Sequence, residues 1–227
     1  MGNIIDYTSS NDNNKFLLKN IIMDLFHEEE YEALDYIMYQ LSICYYDKPN
    51  ENTYLILQGN GSNGKSFLIN LIKYSFYNKN IKMPISNLLN GGNLINDWKF
   101  NIIHYSKPIK DIILNYNNLI DNTKNINKSF HIITTNHNIS IDNNIVQKNV
   151  LFYKMKHNFV ENPINKNEKK EIKNIFFTLS NDIDIEKQFK FLLQQYYIKL
   201  KEDYNGDINM VPNSIINNET NIWKSNL

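Results

Sequence analysis

The sequence predicts an α/β protein: a mainly parallel sheet flanked by helices, preceded by a small helical part. Three observations carry this. A glycine-rich loop, Gly59-Asn60-Gly61-Ser62-Asn63-Gly64-Lys65-Ser66, lies between a strand-like run and a helix-like run. Elsewhere, apolar β-branched runs alternate with helical patterns, and such alternation builds parallel sheets covered on both faces. The chain has 227 residues, 42% hydrophobic and 13% aromatic, which is enough for a sizeable core and unlike a disordered polymer.

The elements follow in order. Residues 1–14 are polar and Asn-rich and read as a flexible arm. Residues 15–50 carry two helical patterns, one marked by Phe16, Ile21, Leu25 and Phe26, the next by Tyr31, Leu34, Ile37, Met38, Leu41 and Tyr45. Asp47-Lys48-Pro49-Asn50 breaks the second pattern. The core spans 51–162. Thr53 to Leu57 is a buried strand, and Phe67 to Tyr74 has apolar residues at helical spacing. Asn87 to Asn96, with Gly91-Gly92, is a loop. Phe100 to Tyr105 is a second strand, Ile109 to Leu119 is helical, Phe130 to Thr135 is a third strand ending at Asn136, and Val150 to Tyr153 is a fourth. Closing helices are expected at Asn167 to Thr178 and Ile185 to Lys201, within 163–202, followed by a polar tail at 203–227. No internal repeat is visible.

The glycine loop satisfies G-x-x-x-x-G-K-[ST] at every constrained position. The chemistry needs those residues. Glycines let backbone N–H groups wrap a phosphate, and the following helix adds a partial positive charge at its N-terminus. Lys65 is expected to reach the β- and γ-phosphates and the Ser66 hydroxyl to bind Mg²⁺, so ATP and Mg²⁺ are the expected cofactors. A glycine-rich turn that happens to contain Lys-Ser is the plain alternative; the flanking strand and helix argue against it.

Composition narrows the partners. Twenty-four basic residues balance 24 acidic ones, and every basic residue is lysine. With no net charge, no global field draws the chain to nucleic acid, and any such contact must be a local lysine patch. The wealth of Asn, Lys, Ile and Tyr is what A+T-rich coding favours. Lysine cannot copy the planar bidentate fork of arginine. Cys44 is the single cysteine, so no disulfide forms within the chain, and it reads as a small core residue. No signal peptide or membrane span is apparent, so a reducing intracellular setting without a membrane partner is expected. Met1-Gly2 lacks the usual hydroxyl residue of a myristoylation signal, Asp6 standing in its place.

Three segments converge on one family. The loop is spelled Gly-x-Gly-x-Asn-Gly-Lys-Ser, a form typical of superfamily 3 helicases of viruses and plasmids. Phe130 to His137 resembles that family's hydrophobic strand ending in Thr-Asn or Ser-Asn, and Asn158-Phe159-Val160-Glu161-Asn162-Pro163 is similar to its Phe-x-Asn-Pro segment. The similarity runs from about Lys15 to Lys201 and extends to the helicase part of poxvirus-type primase-helicases. It implies a P-loop NTPase core of AAA+-like architecture, assembly as a hexameric ring of like subunits, and single-stranded DNA as a partner. It also implies that Asn136 is the polar sensor near the γ-phosphate, which would put its strand beside the strand feeding the glycine loop. Asn also turns chains at strand ends, and the upstream loop is what favours the sensor.

The pattern departs from the family at three places. Ser106-Lys107-Pro108 follows the strand that should end in a carboxylate for the metal, and the next acid, Asp111, reads better as a solvated aspartate. Gln147-Lys148 stands where basic residues, usually arginines, reach a neighbour's nucleotide; Lys148 supplies charge without the bidentate geometry. The segment from Ile109 to Ser129 is shorter than the family's DNA-gripping insertion, of which Lys124 and Lys128 would be the remnant, although lysines on an Asn-rich loop are more often just solvated. The expectation is therefore an ATP-binding, helicase-like replication protein with weak hydrolysis. The alternative is a nucleotide-binding interaction subunit in replication or packaging that does not turn ATP over. An ordinary small P-loop kinase would need an acidic strand end as well.

Overall fold

A computed structural model describes residues 12–26, 28–49, 53–76, 100–105, 112–114, 130–136, 139–141, 150–170 and 185–226. Its helices are α1 (Asp12–Asp24), α2 (Tyr31–Tyr46), α3 (Lys65–Phe76), α4 (Ile185–Tyr204) and α5 (Ser214–Ser225). Its strands are β1 (Thr53–Gln58), β2 (Phe100–Tyr105), β3 (Ile112–Leu114), β4 (Phe130–Thr135), β5 (Ile139–Ile141), β6 (Val150–Lys154), β7 (Asn158–Val160) and β8 (Glu168–Lys170).

The four expected inner strands form one parallel sheet in the order β2-β4-β1-β6. Leu55 of β1 lies opposite Ile132 of β4 and Leu151 of β6. All six positions of β4 are buried, so the sheet is covered on both faces, as parallel sheets require. A parallel arrangement brings the C-terminal ends of β1 and β4 to the same edge, side by side. The functional loop begins there.

The helical residues bury their apolar stripes in one core. Ile22 and Leu25 near the end of α1, Ile37 and Leu41 of α2, Leu68 and Leu71 of α3, and Phe189 and Leu193 of α4 share it with Leu55 and Leu57. Tyr39 meets Tyr196 and Tyr204 edge-on at 5.1 and 5.7 Å, locking α2 to α4. Cys44 is buried in α2, as a small core residue. A polar cluster ties the outer parts together. The Tyr153 hydroxyl donates to buried Glu30 at 2.7 Å, and Lys156 bridges Glu30 and Glu219 of α5. Burial and the Glu30 hydrogen bond both push the Tyr153 phenol up. At Lys156 burial opposes the charge, and the hydrogen bonds to Glu30 and Glu219 outweigh it, leaving the ammonium favoured.

Three segments differ from the sequence expectation. Within Ile109–Leu119, expected to be helical, Ile112–Leu114 is a strand paired with β5. A short apolar run has no periodicity to separate the two states. Within Asn167–Thr178, also expected to be helical, Glu168–Lys170 pairs with β7, and residues 171–184 lie outside the described set. Within 203–227, read as a polar tail, α5 packs on β6. Its Trp223 ring stacks on Phe152 with centroids 5.1 Å apart. Its Thr220 hydroxyl accepts the Phe152 N–H at 2.8 Å and donates to the Ile216 carbonyl at 2.6 Å. Among the described residues, no helix is long and apolar enough to cross a membrane.

Candidate functional site

The loop of interest leaves the sheet at the C-terminal end of β1. Met155 donates to the Gln58 carbonyl at 2.8 Å, and Gly59 donates to the Thr135 carbonyl at 3.1 Å, so its first residues are still pinned on both sides. The chain then coils through left-handed backbone at Gly61, Ser62 and Gly64, with φ of 94°, 47° and 82°. α3 starts at Lys65, and Leu68 closes its first turn on the Gly64 carbonyl at 3.0 Å.

Two neighbours hold this coil. The Phe159 N–H of β7 donates to the Ser62 carbonyl at 2.6 Å, which fixes the one left-handed position that is not glycine. Leu25, just past α1, lies against Gly64; a Cβ at Gly64 would stand 2.3 Å from its Cδ2. β7 and β8 are themselves clamped to the end of α1. His157 Nδ1 lies 3.0 Å from the Asp24 carbonyl, and Lys169 pairs with the Asp24 carboxylate at 3.7 Å.

Inside the coil, Asn63 and Lys65 fold over the Cα of Gly59. A Cβ at Gly59 would come within 1.5 Å of Asn63 Nδ2 and 3.1 Å of Lys65 Nζ, so glycine is required there by close approach. Lys65 Nζ donates to the Gly59 carbonyl at 3.0 Å and to Asn63 Oδ1 at 2.7 Å. Lys65 is only 4% exposed, and burial pushes its ammonium down to about 8. The first turn of α3 holds no acidic residue. A buried cation thus sits at the positive end of a helix, held by two neutral oxygens, an arrangement that an entering anion relieves.

Of the other predicted site residues, Asn60, Ser62 and Ser66 are exposed around the coil. Asn136 is exposed directly after Thr135, the residue that accepts from Gly59, and so stands at the edge of the loop. Lys148, Gln147, Ser106, Lys107 and Asp111 lie outside the described residues. Among the described residues, no group of three or more His, Cys, Asp or Glu converges as a metal cage. Sequence reasoning did not find the supports from Leu25 and Phe159, whose positions only the tertiary fold brings to the loop.

No family model and no curated protein matches the sequence. Among solved structures, the fold is similar to an apo structure of the NrS-1 C-terminal region, with a TM-score of 0.50 and 15% identity, over 86% of this chain and 51% of that one. A second apo structure of the same region gives a TM-score of 0.50 and 14% identity, over 87% and 51% of the two chains. The chain spans about half the length of these neighbours, and at this identity the likeness is one of fold: an α/β arrangement of helices around a parallel sheet.

Proposed function

We propose that the chain binds Mg-ATP through Gly59–Ser66 and acts as a superfamily 3 helicase-like protein of viral or plasmid DNA replication. The observation that carries this reading is the Lys65 ammonium, buried inside a left-handed glycine coil at the N-terminus of α3 with no acid in that turn. A triphosphate supplies the missing negative charge, and backbone N–H groups of the coil supply donors for its oxygens.

The residues divide the work. Lys65 swings its charge from the Gly59 carbonyl to the phosphates. Ser66, exposed in the first turn of α3, offers its hydroxyl to Mg²⁺. Mg²⁺, when bound, neutralises charge that develops on the phosphoryl oxygens. Among the described residues no cluster of His, Cys, Asp or Glu could cage a metal, and in this reading Mg²⁺ arrives on the nucleotide. Asn136 offers an amide for the γ-phosphate and the attacking water. In a ring of subunits, Lys148 offers charge to a neighbour's nucleotide, with single-stranded DNA as the polymer moved. Hydrolysis is slow in this reading, because Ser106-Lys107 and Gln147-Lys148 replace the groups that usually hold metal and stabilise transition-state charge. Binding survives better, since the loop's contacts are made already in the ground state.

Titration of the full chain with Mg-ATP tests the reading. Lys65→Ala should bind about 10- to 100-fold more weakly, the effect of losing a charge-assisted contact. Equal affinity for the two proteins refutes it. Turnover on the same preparation, with and without single-stranded DNA, should stay below about 1 s⁻¹. The lysine at the expected carboxylate position favours a second reading, a nucleotide-binding subunit without turnover, and intact binding with zero hydrolysis would select it. A faster rate would point to Asp111, and Asp111→Asn should then abolish it.

A further inference from the structure

The general motif constrains Gly59, Gly64, Lys65 and Ser66, and the Gly-x-Gly-x-Asn-Gly-Lys-Ser form adds Asn63 without giving its side chain a role. The structure gives that position an unusual environment. Asn63 is 2% exposed although it lies in the middle of a polar loop. A lysine ammonium can only donate, so the amide atom it meets at 2.7 Å is the oxygen. That choice turns the NH₂ group over the Cα of Gly59, where a Cβ would be 1.5 Å away. There Nδ2 is buried and has no acceptor among the described residues. Buried donors are almost always satisfied, and one left open inside a concave loop asks for an acceptor from outside.

We propose that Asn63 is a phosphate-positioning residue: its Oδ1 holds the Lys65 ammonium over Gly59, and its Nδ2 donates to a phosphate oxygen that enters the loop. The inference rests on the Mg-ATP reading of the loop and adds to it a residue that sets affinity. The geometry links the three residues. Gly59 lacks a side chain, so Asn63 can fold inward. Asn63 folded inward gives Lys65 a fixed seat. The same fold leaves one buried donor of the loop without an acceptor among the described residues. A phosphate oxygen bound in the loop would satisfy Nδ2 and draw the ammonium away from the Gly59 carbonyl. The depressed ammonium is consistent with this, because the neutral oxygens that hold it do not fully replace water.

The test uses the full chain and four proteins: wild type, Asn63→Ala, Asn63→Asp and Lys65→Ala. Each is titrated calorimetrically with Mg-ATP and with Mg-triphosphate, from pH 7 to pH 10, after a thermal melt. Asn63→Ala should bind both ligands about 10- to 100-fold more weakly, since the contact is to phosphate and not to the nucleoside. Asn63→Asp keeps the shape and the oxygen that holds Lys65 but replaces the donor with a second anionic oxygen. It should bind more weakly still. Its affinity should also begin to fall at a higher pH than in wild type, because the carboxylate retains the Lys65 proton. A residue with a merely structural role would not move that break. If both Asn63 variants bind as wild type while Lys65→Ala does not, the proposal is overturned and the reading of the loop stands. If Lys65→Ala binds as wild type, the reading fails and the proposal falls with it. If Asn63→Asp matches wild type, the donor half is wrong. Being isosteric, Asn63→Asp carries the test even where the alanine variant fails to fold.

Discussion

Replacing Gly64 by alanine should destabilise the protein through two separable effects. The first is conformational. Gly64 has φ of +82°, and an L-residue forced into left-handed backbone costs about 1–2 kcal/mol. The second is steric. The new methyl would stand 2.3 Å from Leu25 Cδ2, far inside a normal carbon–carbon contact, and overpacking of this kind costs about 1–3 kcal/mol. The total is about 2–5 kcal/mol. Gly61→Ala isolates the first effect, because its φ is +94° and no described residue lies within 4 Å of its Cβ position. Leu25→Ala should cost about 2–5 kcal/mol by itself, as Leu25 is 2% exposed in the core. In the double variant Leu25→Ala/Gly64→Ala the overlap disappears. It should therefore be less destabilised than the two single losses combined, by about 1–3 kcal/mol. Urea denaturation of the five proteins, with midpoints compared at constant slope, measures each quantity. Additivity within about 0.5 kcal/mol, or a Gly64→Ala loss no larger than that of Gly61→Ala, would show that Leu25 does not press on the loop.

Three further outcomes are expected. Nucleotide affinity should fall about tenfold per pH unit above about 8: the empty loop's Lys65 loses its proton there, and a phosphate restores it, so binding takes up a proton. Proton uptake measured in buffers of different ionisation enthalpy checks this, and a slope that persists in Lys65→Ala contradicts it. His131 is buried in β4 against Tyr54, and burial pushes its imidazole down to about 3. The unfolded chain accepts that proton below about 6.5 and the folded chain does not. Stability should then decline from about pH 6.5 toward 3, by up to roughly 1.4 kcal/mol per unit. An acid urea series on His131→Phe should decline less, and identical profiles would exonerate His131. Thr220→Val should cost about 1–3 kcal/mol by leaving the Phe152 N–H without an acceptor, whereas Thr220→Ser should cost less; equal thermal shifts would refute the hydrogen-bond account.

The sheet was legible because its strands are short, two-sided apolar runs separated by breakers, and Phe130 to Thr135 needs no long-range information to be read as a strand. The adjacency of β1 and β4 was legible through chemistry, since Lys65 and Asn136 were expected to face one phosphate. α5 was not legible. Its stretch Ser214–Ser225 is rich in Asn, and contact with β6 reveals that Thr220 and Trp223 share a face. β3 and β8 were missed for another reason: three-residue strands exist only by virtue of their partners, and no local pattern marks them. At the site, the motif named the coil, Asn63 included, but not which way the Asn63 amide turns. Its meaning depends on the missing Cβ of Gly59 four residues earlier, which is a fact of packing and not of spelling.

The contact of Thr220 with Phe152 also has a bearing on time. Among the described residues β6 is an outer strand of the sheet, and its N–H at Phe152 is taken by a hydroxyl 68 residues further along the chain. A ribosome adding about 5–20 residues per second needs roughly 3 to 14 seconds to make that stretch. Through that interval a growing chain whose four strands have already been made presents an unsatisfied strand edge, the kind of surface that recruits other strands. α5 is thus a late closure, and a nascent chain halted before it is the form most prone to pair with its copies.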